Sequence, residues 1–86
     1  MNDYLQGLKE VFERNDIKEV YSHGRFEKEP MRNPVLYVCM DTDPKIKEDV
    51  LNYLREVSIG HEASFSMTKF MPPKAYELIY KNGEFI

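Results

Sequence analysis

Asn33-Pro34-Val35-Leu36-Tyr37-Val38-Cys39-Met40-Asp41-Thr42-Asp43 decides the fold. Val35 to Met40 is the longest unbroken apolar run in the chain, and it is rich in β-branched and aromatic residues. Such a run reads as a strand buried on both faces. Asn33-Pro34 and Asp41-Thr42-Asp43-Pro44 bound it with turn-forming residues. A strand covered on both sides sits mid-sheet, so the flanking segments are expected to supply helices that pack on it.

Immediately after the run, Asp43 is placed to cap a helix that Pro44 opens, where a missing N–H costs nothing. Ile46, Val50, Tyr53, Leu54 and Val57 form its apolar stripe, Leu51 flanks the stripe, and Gly60 closes the element or begins the next loop. Glu62 to Phe70 then alternates: Ala63, Phe65 and Met67 point one way, and Ser64, Ser66 and Thr68 the other. That period marks a strand with one buried face. Pro72-Pro73 stops it.

Upstream of the run, Arg25 to Asn33 carries five charges in nine residues and reads as a solvated connection or a binding loop. Ile17 to Ser22 reads as a strand ending at His23-Gly24. Residues 3 to 14 read as a leading helix, with Leu5, Leu8 and Phe12 on one face and Asn2 or Asp3 as cap. Gly7 weakens that helix and marks close packing; Asn15-Asp16 stops it, because both residues tolerate the left-handed conformation.

The segment Lys74 to Ile86 admits two readings. As a helix, Pro73 opens it, Ala75, Leu78 and Ile79 face inward, and Gly83 follows its end. As a hairpin, Asn82-Gly83 is a type I′ turn between Leu78-Ile79-Tyr80 and Phe85-Ile86. The returning arm would then have only three residues, so a helix followed by a short strand is expected. The fold class is therefore α/β (α+β), two-layer, with a small mixed sheet of three to four strands and two to three helices. The expected order is α-β-β-α-β-α(-β), and residues 1–86 form one domain.

The chain is 42% hydrophobic and 31% charged, with a net charge of −3. No apolar run approaches the roughly 18 residues of a membrane helix, and the charged N-terminus reads against a signal peptide. Lysines and arginines lie scattered among acids, which argues against nucleic acid as a partner. The single Cys39 reads as an inert core thiol, and a cytoplasmic location is expected.

Taken together, these features resemble the minimal nucleotidyltransferases, the small antitoxin-type members of the polymerase-β-like superfamily. Ile17-Lys18-Glu19-Val20-Tyr21 looks like the family's first strand. Met71-Pro72-Pro73-Lys74-Ala75-Tyr76, continuing through Gly83 to Ile86, looks like its closing segment, a helix ending in a glycine before a last short strand. The resemblance implies a nucleotidyltransferase-like fold, and implies that its chemistry is lost. Gly24 agrees with the family glycine, but Arg25 stands where the serine should be. The Asp-x-Asp pair falls on Pro34 and Leu36, and the third carboxylate on Ser64. Magnesium is held by carboxylates, and proline and leucine cannot coordinate it, so the resemblance implies that the two-metal site is gone.

The expected function is accordingly that of a pseudoenzyme: a non-catalytic domain acting by protein binding, as an antitoxin-like, regulatory or inhibitory partner. No catalytic residue, metal or cofactor is assigned. His23, Gly24 and Arg25 are candidates for residual nucleotide binding, since the family binds phosphate at that turn. Arg25, Phe26, Met31 and Arg32 are candidates for contact with a protein partner or a second copy, since aromatic, methionine and arginine side chains match the composition of interface hot spots. One alternative is an active transferase with a rearranged acidic site at Asp41 and Asp43. Another is a ferredoxin-like α/β binding module, in which the C-terminal hairpin reading holds. His61 reads as a surface residue.

Overall fold

The computed structural model describes residues 3–40 and 43–86. Helix α1 (Asp3–Arg14) is followed by strands β1 (Glu19–His23) and β2 (Val35–Cys39), helix α2 (Pro44–Val57), and strands β3 (Ser64–Thr68), β4 (Tyr76–Lys81) and β5 (Glu84–Phe85). The strands form one mixed sheet in the order β3-β2-β1-β4-β5. β1 is antiparallel to both β2 and β4, β2 and β3 are parallel and joined through α2, and β4–β5 is an antiparallel hairpin.

The helix boundaries follow from local chemistry. Asp43 is extended, and its Oδ1 accepts from the Lys45 N–H at 2.9 Å, while Pro44 occupies the first turn of α2. α1 ends where Asp16 turns left-handed at φ 56°, and Asn15 Nδ2 donates to the Val11 carbonyl at 2.8 Å. Asn2, the other candidate cap, lies outside the described residues. Gly7 lets the two helices approach: a Cβ there would collide with the Tyr53 hydroxyl, which donates to the Tyr4 carbonyl at 3.0 Å. Arg14 and Asp49 close the same helix pair through two bonds of 2.8 and 2.6 Å.

Both helices pack on one face of the sheet. Tyr4, Leu8, Val11 and Phe12 of α1 and Val50 and Leu54 of α2 join Val20, Leu36, Val38, Phe65, Ile79 and Tyr80 in a single core. Burial of this continuous apolar set is what drives the two layers together.

Three expectations are corrected here. First, no third helix forms over Lys74 to Lys81; the segment contains β4, and the sheet has five strands where three to four were expected. Asn82 and Gly83 take φ of 49° and 90°, the conformation a type I′ hairpin turn requires. The short returning arm suffices because Phe85 gains ring contacts with Phe12, Phe26 and Tyr80. The element order is therefore α-β-β-α-β-β-β, which also differs from the β-α-β-β-α-β order of a ferredoxin-like module.

Second, β2 is not buried on both faces. Leu36 and Val38 are buried, while Val35, Tyr37 and Cys39 alternate with them and are only half-buried. The strand next to the middle of the sheet is apolar on both sides, yet helices cover only one. Third, Cys39 is consequently not a core thiol; it is half-buried on the face away from the helices.

Candidate functional site

The face away from the helices is built by alternation. On β1, Val20 and Ser22 point into the core, which leaves Glu19, Tyr21 and His23 on the other side. Register then sets neighbours: Tyr21 lies opposite Tyr37 on β2 and Leu78 on β4, and His23 lies opposite Tyr76. The Tyr76 ring is 5.0 Å from the His23 ring and 5.3 Å from Tyr37, tilted by 54° and 55°. Ser64, Ser66 and Thr68 extend this face across β3 with hydroxyls.

A strap crosses the face. β3 and β4 run parallel but stand three strand positions apart, so residues 69–75 must return the chain over β2 and β1. Lateral travel of about 14 Å and a return of about 13 Å along the strands make a path of about 20 Å, against a reach of about 26–29 Å for eight residue steps. The slack is taken up by a bend at Lys69-Phe70 and a turn at Lys74-Ala75, where the Tyr76 N–H donates to the Pro73 carbonyl at 3.0 Å. The strap touches the sheet at Tyr37, whose Oη donates a long bond to the Phe70 carbonyl at 3.4 Å, and the Phe70 N–H donates to Thr68 Oγ1 at 3.3 Å. Phe70 and Met71 remain 75% and 69% exposed, the two adjacent large apolar side chains that the fold leaves in water. Met71 also borders a cavity of about 280 Å³ that Asp16, Lys18 and Glu19 line together with Val38, Cys39 and Met40.

The loop expected to bind lies at the adjoining corner. Gly24 has φ 75° and open space around it, and the exposed Arg25 pairs with Glu27 at 2.9 Å. Gly24, Arg25 and Phe26 line a groove of about 520 Å³ with Ile79, Phe85 and Ile86. Phe26 is half-buried, stacked on Phe85 at 6.0 Å and 4°. His23 sits at the end of β1 against Tyr76, beside this groove. Met31 and Arg32 are held elsewhere. The Met31 carbonyl accepts from the Ile59 N–H at 3.0 Å, its sulfur accepts from the Glu27 N–H, and Arg32 forms an isolated bridge with Ile59. The structure thus brings His23, Gly24, Arg25 and Phe26 to one corner and pins Met31 and Arg32 beyond the end of α2.

Asp43 spends one carboxylate oxygen on the α2 cap, and Asp41 lies outside the described residues. Among the described residues no group of three or more His, Cys, Asp or Glu side chains gathers as a metal site would. The exposed His61 has φ 57° and an Nδ1 3.0 Å from the Arg55 carbonyl, a helix-end contact. No helix among the described residues is long and apolar enough to cross a membrane.

Sequence reasoning centred on the charged loop and passed over Tyr21, Tyr37, Tyr76, Phe70 and Met71. The signal for the tyrosines was the period-2 pattern of Glu19, Tyr21 and His23; for the strap it was a Phe-Met pair stranded between a strand and two prolines. In comparisons with known proteins, no family model, curated protein or solved structure matches this chain.

Proposed function

We propose that this protein is a non-catalytic binding domain that acts by docking another protein, with the strap-crossed face of its sheet as the working surface. The observation that carries the reading is the exposure of Phe70 and Met71 on a backbone held by Tyr37 and Thr68. Large apolar side chains left in water can be buried by a partner, and aromatic and methionine side chains are enriched at protein interfaces. His23, against Tyr76, brings the end of β1 to this surface. The proposal does not lean on the resemblance to nucleotidyltransferases, whose closing helix is a strand in this chain.

The test is photo-crosslinking in the native cell, with a benzophenone amino acid at position 70 and, as control, at position 48 on α2. A discrete protein adduct from position 70 that is missing from position 48 is the expected result. Equal adducts from both positions, or none from position 70, would overturn the proposal.

A further inference from the structure

We propose that the turn between β4 and β5 is a self-modification site: Asn82 forms isoaspartate through attack by the Gly83 nitrogen, and the product releases Phe85 from the core. The inference is independent of the binding-domain reading above.

The chemistry needs an asparagine amide, a following nitrogen that still carries its proton, and no side chain crowding that nitrogen. The chain has five asparagines, and only Asn82 precedes a glycine; Asn33 precedes a proline, which has no N–H. Asn82 is also exposed. Water is the sole co-reactant. The Gly83 nitrogen bonds to Asn82 Cγ, the Cγ–Nδ2 bond breaks, and ammonia leaves with the proton from Gly83. Water then opens the cyclic imide on either side. Opening at Cγ leaves aspartate. Opening at the main-chain carbonyl leaves isoaspartate, with the backbone rerouted through Cβ and Cγ.

Turn geometry decides when this happens. Ring closure needs the Gly83 nitrogen nearly eclipsed with Asn82 Cβ about the Cα–C bond. In the native turn Asn82 and Gly83 take φ of 49° and 90°, and the type I′ ψ of about 30° at Asn82 swings that nitrogen away from Cβ. The Gly83 N–H instead faces the Tyr80 hydroxyl, in a hollow of about 220 Å³ that Glu13, Asp16, Ile17, Lys18 and Tyr80 line with the turn. The turn therefore has to open before it reacts. Little holds it closed: the pairs Tyr80–Phe85 and Lys81–Glu84, the Asn82 N–H on the Lys18 carbonyl at 2.8 Å, the Ile86 N–H on the Ile79 carbonyl at 2.9 Å, and the rings around Phe85. An arm that short opens locally well before the domain unfolds.

The two products differ in what they allow. Aspartate refits the turn, since Asp-Gly suits type I′ as Asn-Gly does. Isoaspartate does not, because one extra methylene between residues 82 and 83 breaks the two-residue loop that sets Lys81 against Glu84. β5 then has no turn to return it, and Phe85 leaves Phe12, Phe26 and Tyr80.

The experiment ages the full chain in mildly alkaline buffer beside a synthetic peptide of residues 77–86, and maps isoaspartate by electron-transfer mass spectrometry. Expected is isoaspartate at position 82 and at no other asparagine, formed at least about tenfold more slowly in the chain than in the peptide. Phe26→Ala removes the ring stacked on Phe85 and leaves Phe12 and Tyr80 in place, with Phe26→Leu as the milder variant. Either should speed the reaction about two- to tenfold while the melt stays cooperative. The isolated isoaspartyl chain should lose amide-exchange protection over residues 79–86, and Asn82→Asp should keep it. No isoaspartate at 82 once the peptide has fully reacted would overturn the site, as would an equal yield at Asn15 or Asn52. A rate equal to the peptide's, or one unmoved by both Phe26 variants, would overturn the control by Phe85 docking. An isoaspartyl chain protected like the parent would overturn the release of Phe85.

Discussion

The two faces of this sheet are made from the same strands and similar residues, yet they end in different environments. Under the helices, Val20, Leu36, Val38, Phe65 and Tyr80 are sealed by Phe12, Val50 and Leu54. On the other side, Tyr37 meets Tyr76 and a single strap of chain, with Tyr21 and Cys39 beside it on β1 and β2. An amphipathic helix delivers an apolar stripe every turn, whereas an irregular strap contacts the sheet only where a residue points down. One cover excludes water continuously and the other in patches. The sealed face is therefore expected to hold the fold, and the patched face to be available for binding.

The sharpest way to break this comparison is to truncate one ring on each side. Phe12→Ala removes a ring packed on Tyr80 at 4.8 Å and on Phe85, and should cost about 3–5 kcal/mol, lowering Tm by more than about 12 °C. Tyr37→Ala, on the patched face, should cost only about 1 kcal/mol in urea titration. Equal losses would mean that the strap seals its side as well as the helices seal theirs.

Cys39 sharpens the same contrast at one strand. Its thiol should label with a maleimide in the native protein within roughly tenfold of its rate in denaturant. A thiol placed one residue away, by Val38→Cys in a Cys39→Ser background, should label at least roughly a thousandfold more slowly in the native protein than in denaturant. Equal protection of the two would show the patched face to be dry.

The smallest expected effect concerns the helix side and pH. The Arg14 guanidinium and then Asn15 hold the Asp49 carboxyl down from an ordinary 3.8 to about 2. A depressed acid contributes stability that is fully present above its unfolded value and is lost as pH falls through the folded one. Asp49→Asn should thus lower Tm modestly at pH 7, because the pair is part-exposed and screened. The difference from the parent should shrink between pH 4 and about 2. A difference that persists unchanged at pH 2 would remove Asp49 from the acid response of the helix pair.

Much of the fold was legible in the chain because its causes are local. Asp43-Pro44 begins α2 by satisfying or removing orphan N–H groups, Asp16 ends α1 by accepting positive φ, Gly7 signals a close approach, and Ala63-Phe65-Met67 sets the inward side of β3. The candidate site was legible only in part. His23, Gly24, Arg25 and Phe26 were marked by the glycine turn, and they do share a corner, but nothing local tells that Met31 and Arg32 are pinned to Ile59 instead.

What the sequence determined by itself was where α1 and α2 begin and end, since caps, turns and side-chain periodicity act over three or four residues. The tertiary structure alone decided what covers each face. Val35 to Met40 is apolar on both sides, and composition cannot distinguish a helix above it from a strap of seven residues. Asn82-Gly83 permits a hairpin, but Phe85 docks only because Phe12, Phe26 and Tyr80 arrive from three other segments. The exposure of Phe70 and Met71 is likewise a consequence of topology: two parallel strands three positions apart force the chain across the open face, and the crossing bends at Phe70 and leaves these two side chains in water.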